Sequence, residues 1–262
     1  MKVSLIITTF NRFDALELVL KSIEFQTILP HEIIIADDGS NKTTVKRLDN
    51  FIKFSKLNII HSWQENLGFR LARSRNKAIS IANGEYIIII DGDMILDSNF
   101  ISDHISHAKK SQYIQGSRVL LTESKTLEVI TNKDIFLSFF SRGISNRKNA
   151  IRSNLLSRIF SKKSESSAGV RGCNMGFFKT DCEKINGFNN KFEGWGREDS
   201  EFVARFLNAG FVKKNLKFSA VQYHLWHGHE SEMSLPENDE ILAEAIDKNL
   251  SWCNSGLNEF KY

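Results

Sequence analysis

The sequence predicts an α/β protein with a mostly parallel central sheet, helices on both faces and an elaborated C-terminal half. Two observations carry this prediction. In the first half of the chain, apolar strand-like runs alternate with helix-like stripes, an order typical of parallel sheets covered by helices. Two of the runs, at 32–36 and 86–91, are rich in isoleucine and lead into pairs of carboxylates. Strands buried on both faces have such compositions, and open sheets bind ligands at their carboxyl ends.

The elements of the first half follow from hydrophobic periodicity. Continuous β-branched and apolar residues predict four strands, at 3–9, 32–36, 57–61 and 86–91. Apolar residues at helical spacing predict three helices between them, at 14–25, 43–54 and 71–82. The run 86–91 contains four isoleucines, and we expect it at the centre of the sheet.

The pattern is looser after Asp93. It predicts a helix at 99–110, a strand at 113–121, an ordered segment at 171–175, a helix at 197–207, a strand at 217–223 and a terminal helix at 241–250 that only packs. We expect one domain over 1–262, with a first half at 1–97, a second half at 98–235 and a C-terminal helix at 236–262.

The composition restricts the class of protein. The chain has 262 residues, a hydrophobic fraction of 41% and a net charge of +4, which permits an anionic partner without requiring one. We expect no nucleic-acid partner. The three cysteines form no Cys-x-x-Cys pair, which argues against a disulfide framework or a zinc knuckle and favours a reducing compartment. The absence of a long apolar stretch predicts a cytoplasmic protein, at most peripheral at the inner face of the membrane.

Residues 135–164 contain seven basic side chains and no acidic one, interspersed with apolar residues. One interpretation is a solvated helical excursion. The other is a basic amphipathic segment, at 142–163, that contacts an anionic membrane surface or holds an anionic acceptor. The Ser-rich stretch 164–168 is expected to be a mobile loop.

Two carboxylates, Asp91 and Asp93, follow the isoleucine run with only Gly92 between them. A bare carboxylate is too costly inside a core strand, so the chain must reach the surface here. Two hard oxygen donors beside a cleft suit Mg²⁺ or Mn²⁺, and such an ion can bind a diphosphate. The alternative is an acidic turn without a ligand.

The second informative region begins at Gly194 and contains Trp195, Glu198 and Asp199. Glycines on both sides of the tryptophan predict a mobile loop that presents one large ring. The two acids also suit the first turn of a helix, where the helix dipole favours negative charge, so a purely structural role is the alternative. Three histidines follow the last predicted strand, and they are either surface residues or ligands of a divalent ion: His224, His227 and His229.

Together these motifs resemble the family 2 glycosyltransferases of the GT-A (Rossmann-like) fold. The likeness lies in residues 3–11, 37–40 and 91–93 of the first half. Residues 68–76, followed by Asp-Gly-Asp-Met, are most similar to bacterial chondroitin-polymerase-type domains. The segment Gly-Trp-Gly-Arg-Glu-Asp at 194–199 is similar to a motif of β-1,4-galactosyltransferases, which often carry glycine in place of the arginine.

The resemblance implies that residues 1–97 bind a nucleotide-sugar. Thr8 and Phe10 would line the base pocket, and Asp38 would hydrogen-bond the base. Arg75 would face the diphosphate or nearby carboxylates, and Asp91 would approach the ribose.

The resemblance also implies a metal site and an acceptor site. Asp93 and His224 would bind Mn²⁺ or Mg²⁺, with His227 as the alternative second ligand. Asp199 would be the general base, and Glu198 would hold substrate hydroxyls. Three further positions would contact substrate: Trp195, Gly196 and Asn174.

The implied activity is inverting transfer of a hexose or N-acetylhexosamine, with galactose or N-acetylgalactosamine favoured, from a UDP-sugar to a bacterial surface glycan. Two other interpretations stay open. A nucleotidyltransferase also uses metal-binding acids on an α/β sheet, but it usually needs a glycine-rich loop where this chain has residues 8–11. A degenerate transferase that only binds sugar or acts as a scaffold is the other alternative.

Overall fold

The structure is a computed structural model that describes residues 1–167, 169–228 and 233–260. Its strands are β1 (Val3–Thr9), β2 (Glu32–Asp37), β3 (Ile59–Trp63), β4 (Tyr86–Asp91), β5 (Met94–Leu96), β6 (Gln112–Gln115), β7 (Val119–Leu121), β8 (Ile144–Ser145), β9 (Lys162–Ser164), β10 (Asn174–Phe178), β11 (Val212–Asn215) and β12 (Gln222–His224). Its α-helices are α1 (Phe13–Glu24), α2 (Lys42–Phe54), α3 (Leu71–Ile81), α4 (Phe100–His107), α5 (Glu123–Asn132), α6 (Asn154–Phe160), α7 (Lys179–Lys184), α8 (Glu198–Asn208) and α9 (Leu235–Asp247). Two short 3-10 helices cover Arg147–Ala150 and Leu257–Phe260.

Within the described residues, the large sheet has eight strands in the order β3-β2-β1-β4-β10-β6-β11-β9. The strands β3, β2, β1 and β4 are parallel, and β11 is parallel to β6. Only β10 and β9 in this described sheet run against their neighbours. The prediction of a mostly parallel sheet is therefore confirmed.

The four isoleucines of β4 explain why this strand lies inside the sheet. Ile88 and Ile90 pack into the core on the side of α1, whereas Ile87 and Ile89 pack on the opposite side with α3. All four are fully buried, and each such burial contributes about 2 kcal/mol to stability. Because both faces of the strand are buried, its apolar residues do not alternate with polar ones, as predicted from the sequence.

A second, smaller sheet joins β5, β12, β7 and β8 in that order. The strand β12 pairs antiparallel with β5, so that His224 lies opposite Met94. The predicted strand 217–223 is wrong over most of its length, because Phe218 and Ala220 have the left-handed backbone angles φ 57° and φ 50°. Such angles interrupt a strand, and pairing begins only at Gln222.

Two further predictions need correction. The single strand expected at 113–121 is divided into β6 and β7, which belong to different sheets. Residues 135–164 are not a helical excursion, since only Asn154–Phe160 is α-helical. The end of this segment forms β9, an edge strand of the large sheet.

The cysteines Cys173, Cys182 and Cys253 are buried and unpaired. Among the helices of the described ranges, none combines the length and apolarity needed to cross a membrane.

His104 is fully buried on α4 and contacts Asn174 of β10, with 3.0 Å between Nε2 and Oδ1. The amide group of Asn174 donates to the carbonyl oxygens of Ser117 and Ala220. Its oxygen is therefore the acceptor, and Nε2 of His104 carries the proton. Burial lowers the pKa of His104 from 6.5 to about 4, although the hydrogen bond to Asn174 opposes this shift.

This burial predicts acid-sensitive stability. Below pH 6.5 the unfolded chain takes up a proton on His104, whereas the folded chain does not. The stability of the fold is therefore unaffected by this group above pH 6.5 and decreases as the pH falls towards 4. Between pH 7.5 and pH 5.0 the wild type should lose about 2 kcal/mol more unfolding free energy than His104→Gln. Urea titrations at both pH values measure this difference. His31→Gln, at an exposed position, is the control, and equal losses in wild type and His104→Gln would contradict the assignment.

Candidate active site at the carboxyl edge of the large sheet

A cavity of about 700 Å³ opens where β1, β2 and β4 end. Its walls come from the turns after these strands, the start of α3, the segment before β10, the loop into α8 and the residues after β12. Open sheets bind ligands at this edge. The predicted site residues that line it are Thr8, Phe10, Asp38, Arg75, Asp91, Asp93, Trp195, Gly196, Glu198, Asp199 and His227.

Strand register fixes the position of the Asp-x-Asp turn. Thr8 of β1 lies opposite Asp91 of β4, and its hydroxyl donates to Asp91 Oδ1 at 3.0 Å. A Cβ at position 92 would lie only 2.6 Å from the carbonyl oxygen of Thr8, so only glycine allows the turn to pack this closely. The turn therefore brings Asp93 back to the cavity.

Asp38 and Phe10 form the end of the cavity beside β2. The carboxylate of Asp38 is buried and accepts hydrogen bonds from Gln64 Nε2 and the backbone N–H of Arg70. Burial raises the pKa of Asp38, and the hydrogen bond from Gln64 opposes this shift. The ring of Phe10 is 45% exposed and leaves an apolar surface beside a polar group, a combination that suits a heterocyclic base.

Arg75 of α3 connects the two halves of the site. Its side chain is buried, with Nη1 at 2.9 Å from Glu198 Oε1 and Nη2 at 3.6 Å from Asp91 Oδ1. Its guanidinium carbon lies 5.1 Å from the centre of the Phe188 ring. A Cβ at Gly172 would lie 2.4 Å from Arg75 Nη2, so the glycine provides the space that the arginine occupies.

Glu198 and Asp199 begin α8, where the helix N-terminus favours negative charge. Glu198 is buried; burial raises the pKa of this carboxyl, the charge of Asp199 raises it further, and Arg75 acts against both. Asp199 is partly exposed on the cavity wall and accepts from the backbone N–H of Ser200 at 2.6 Å. Arg197, just before the helix, has φ 76°, a strained value for a residue with a side chain.

Asp93, His224 and His227 form a cluster that fits a divalent ion. Their ligand atoms lie within 4.8 Å of one another, and the Nε2 atoms of the two histidines are 3.5 and 3.6 Å from Asp93 Oδ2. Oδ1 of Asp93 is buried without a hydrogen-bond partner, as expected of an oxygen that serves a metal. His227 Nδ1 lies 2.7 Å from the carbonyl oxygen of Gly228; donating there leaves Nε2 free to ligate. His229 lies outside the described residues.

Electrostatics agree with this assignment. Burial acts to raise the pKa of Asp93, but the hydrogen bond and charge of His224, with the charges of Arg12 and His227, hold it below its usual value. The carboxylate is therefore ionised near neutral pH and available to a cation.

Arg12 is a site residue that the sequence did not identify. Its Nη1 lies 2.8 Å from Asp93 Oδ2, and its Nη2 donates to the carbonyl oxygen of Trp226 at 3.2 Å. Arg12 directly follows the matched residues 3–11 but lies outside them, and nothing in the sequence indicated its contact with a residue so distant in the chain.

The loop that carries Trp195 is held by α9. Asn238 of this helix is buried and donates to the carbonyl oxygens of Glu193 and Gly196. The backbone N–H of Gly194 donates to the carbonyl oxygen of Phe69. The terminal helix thus begins at Leu235 rather than at 241, and its added first turn contacts the site, which corrects the expectation that it only packs.

Asn174 is not brought to the cavity. It is fully buried in β10, and its amide oxygen and nitrogen are used by His104, Ser117 and Ala220. The structure gives it a place in the core between the two sheets, so a substrate contact has no support in this geometry.

With the geometry established, comparison with known proteins identifies the class. The model of glycosyl transferase family 2 matches residues 4–177, and the model described as the N-terminal domain of galactosyltransferase matches residues 156–229. The first match covers more than half of the chain. The chain belongs to glycosyl transferase family 2.

Individual relatives agree with this membership. The chain is 24% identical to a chondroitin synthase of Escherichia coli over 95% of its own length and 38% of that protein. It is 26% identical to a chondroitin synthase of Pasteurella multocida over 93% of its length and 27% of that protein. It thus spans well under half of these relatives. The crystal structure of S. aureus TarS 1-349 has a TM-score of 0.61 and 16% identity, covering 95% of this chain and 65% of that one, which confirms the GT-A fold.

The contact between α9 and the tryptophan loop predicts that Asn238→Ala loosens residues 193–197. Two hydrogen bonds of about 1 kcal/mol each are lost, so local opening should increase by an order of magnitude or more. The measurement is the rate of tryptic cleavage after Arg197, followed by mass spectrometry.

Asn208→Ala is the matched control. Asn208 also donates two hydrogen bonds, one to the carbonyl oxygen of Ala245 in α9 and one to that of Leu250 just after this helix. Its cleavage rate after Arg197 should equal that of the wild type. If both variants were cleaved equally fast, the effect would come from general destabilisation of α9 and not from the loop contact.

Proposed function

We propose that the chain is a metal-dependent, inverting glycosyltransferase. It moves a hexose or N-acetylhexosamine, galactose or N-acetylgalactosamine favoured, from a UDP-sugar to a bacterial surface glycan. The observation that carries the proposal is the cluster of Asp93, His224 and His227, with an unpartnered buried oxygen on Asp93. Asp93 and His227 of this cluster line the same cavity as Asp199.

The donor end of the cavity supports a nucleotide. Phe10 offers a ring face to a base, while Asp38 and its bound Gln64 offer polar groups beside it. The structure of TarS in complex with UDP has the same fold, with a TM-score of 0.61. Thr8 and Asp91, joined by a hydrogen bond, lie between the base pocket and the metal cluster, where a ribose would fit.

The residues that would hold the divalent ion, Mn²⁺ or Mg²⁺, are Asp93 and His224 or His227. When bound, such an ion neutralises the charge that develops on a leaving diphosphate. The chain itself contributes Arg75, whose buried charge keeps Asp91 and Glu198 in place around the reacting groups.

Asp199 is the general base of the proposed reaction. It accepts the proton of an acceptor hydroxyl while that oxygen forms a bond to the anomeric carbon of the donor. The bond from this carbon to the diphosphate oxygen breaks, and UDP leaves with the electron pair. Base catalysis of this kind contributes about 10²- to 10⁴-fold in rate. A single displacement inverts the anomeric centre, so an α-linked donor gives a β-linked product.

The preference for galactose or N-acetylgalactosamine rests on the matched galactosyltransferase model and on the names of the relatives. These include a cholesterol galactosyltransferase of Borreliella burgdorferi, 37% identical over 41% of this chain and 29% of that protein. Arg197, which pairs with Asp239, adjoins the sugar-binding position proposed for Trp195 and Gly196.

The test is release of UDP from a panel of UDP-sugars with Mn²⁺, with and without EDTA. One donor should be hydrolysed, and EDTA should abolish the reaction.

Asp199→Asn should lose transfer by at least 10²-fold while UDP binding changes little, because the base acts only on the acceptor. Asp247→Asn, an exposed acid on α9, is the control. No UDP binding by the wild type would reject the proposal, and retained turnover in Asp199→Asn would reject the base.

We also propose peripheral contact of segment 142–163 with an anionic membrane. On α6 the apolar side chains of Leu155 and Ile159 are 68% and 59% exposed, and the basic residues Arg158, Lys162 and Lys163 adjoin them and are exposed. Exposed apolar groups flanked by positive charge suit a lipid surface with negative headgroups.

This contact predicts that the wild type sediments with phosphatidylglycerol vesicles, less at high salt, and not with phosphatidylcholine vesicles. The double substitution Leu155→Ser and Ile159→Ser should reduce the bound fraction several-fold. Leu127→Ser, at a 61% exposed position of α5, should have no effect. Equal binding by all three proteins would reject a role for α6.

A further inference from the structure

The guanidinium of Arg12 lies at the oxygen around which the metal cluster is built. Nη1 is 2.8 Å from Asp93 Oδ2, and the Nε2 atoms of His224 and His227 approach that same oxygen at 3.5 and 3.6 Å. Arg12 therefore shares the ligand atom on which both histidines converge.

The backbone before Arg12 directs the side chain to this position. Asn11 has the left-handed angle φ 52°. Its backbone N–H donates to Ser40 Oγ, and its side-chain oxygen accepts from the backbone N–H of Asn41. These contacts fix the turn between β1 and α1, and Arg12 immediately follows it.

The charge of Asp93 explains why a cation is held there. Only 11% of its side chain is exposed, and a buried carboxylate without a positive partner is strongly destabilising. Arg12 supplies this charge from within the chain. Its own side chain is 37% exposed, so it can move into solvent without leaving a charge buried.

A divalent ion held by Asp93 and either histidine would lie within a few ångströms of the guanidinium. Two cations at that separation repel each other, and the repulsion is stronger beside the largely buried Asp93 than in bulk water. The ion and Arg12 thus compete for the single negative charge of Asp93, whichever of its two oxygens binds the ion.

We propose that Arg12 is a positioning residue that acts as an internal counter-cation of Asp93. The divalent ion must displace Arg12 from Asp93 before it can bind, and this requirement lowers the affinity for the metal. The proposal rests on the metal site of the proposed function. Displacement also breaks the hydrogen bond from Arg12 Nη2 to the carbonyl oxygen of Trp226. The segment before His227 then keeps the hydrogen bond from the Trp226 N–H to Thr126 Oγ1.

The experiment is titration of the protein with Mn²⁺ alone, in the absence of donor, with free Mn²⁺ measured by electron paramagnetic resonance. Arg12→Gln removes the competing charge and should bind Mn²⁺ about three- to tenfold more tightly than the wild type, the range expected for one partly exposed ion pair. Arg12→Lys keeps the charge and should stay near the wild type. Higher salt should reduce the difference between wild type and Arg12→Gln, because it screens the repulsion.

Arg47→Gln is the matched control, because it breaks another arginine–aspartate pair beside α1, that with Asp14, away from the cavity. It should leave Mn²⁺ affinity unchanged. In Asp93→Asn, the additional substitution Arg12→Gln should no longer increase affinity. Circular dichroism shows whether Arg12→Gln is folded; if it is not, Arg12→Met takes its place in the comparison with wild type, since it also removes the charge.

Unchanged or weaker Mn²⁺ binding in folded Arg12→Gln would overturn the proposal. Absence of Mn²⁺ binding in both wild type and variant would overturn it as well. Neither outcome decides whether the chain transfers sugar, because the UDP-release assay measures that reaction separately and responds to EDTA.

Discussion

Arg75 lies buried between Asp91, at the end of β4 in the large sheet, and Glu198, at the start of α8. A buried charge is tolerated only when it is paired, and removal of one partner of such a pair typically costs about 3–5 kcal/mol. The arginine therefore requires both halves of the chain to meet at this point. Gly172 leaves the space for the guanidinium, and Phe188 lies against it. This interaction fixes Glu198, and with it the first turn of α8 that carries Asp199, while Phe202, Val203 and Phe206 hold the rest of the helix in the core.

The remaining charges of the cavity follow from the same requirement for pairing. Asp38 accepts a hydrogen bond from the side chain of Gln64. Glu198 forms an ion pair with Arg75, and Asp93 Oδ2 forms one with Arg12. Asp93 Oδ1 is the carboxylate oxygen that has no partner among the described buried side-chain atoms. An excess of buried acceptors over donors at this one position favours a cation from solution. Protein groups thus provide partners for Asp38, Glu198 and Oδ2 of Asp93, and Asp93 Oδ1 stays open to a metal.

The sequence predicted the parts of this arrangement that depend on local patterns. Strands β1 and β4 match their predicted bounds, because continuous β-branched residues leave few other conformations for a strand buried on both faces. The acids at the start of α8 were also found, since helix N-termini have a local signature. The contacts of Arg12 and Asn238 were missed, because they join residues far apart in the chain and neither lies in a recognisable motif. The strand predicted at 217–223 failed for the same reason. The backbone has left-handed angles at Phe218 and Ala220, and the Ala220 N–H donates to the distant Asp103.

The three residues that could hold a metal, Asp93, His224 and His227, come from two distant parts of the chain. Asp93 directly precedes β5, and His224 ends β12, so the antiparallel pairing of these two strands sets the distance between the ligands. The backbone N–H of Leu225 donates to the carbonyl oxygen of Asp93, which fixes the same register at the site itself. An ion that binds only to the paired arrangement stabilises that pairing by mass action. Pairing of β5 with β12 and binding of such an ion would therefore be coupled, so that whatever favours one of them favours the other.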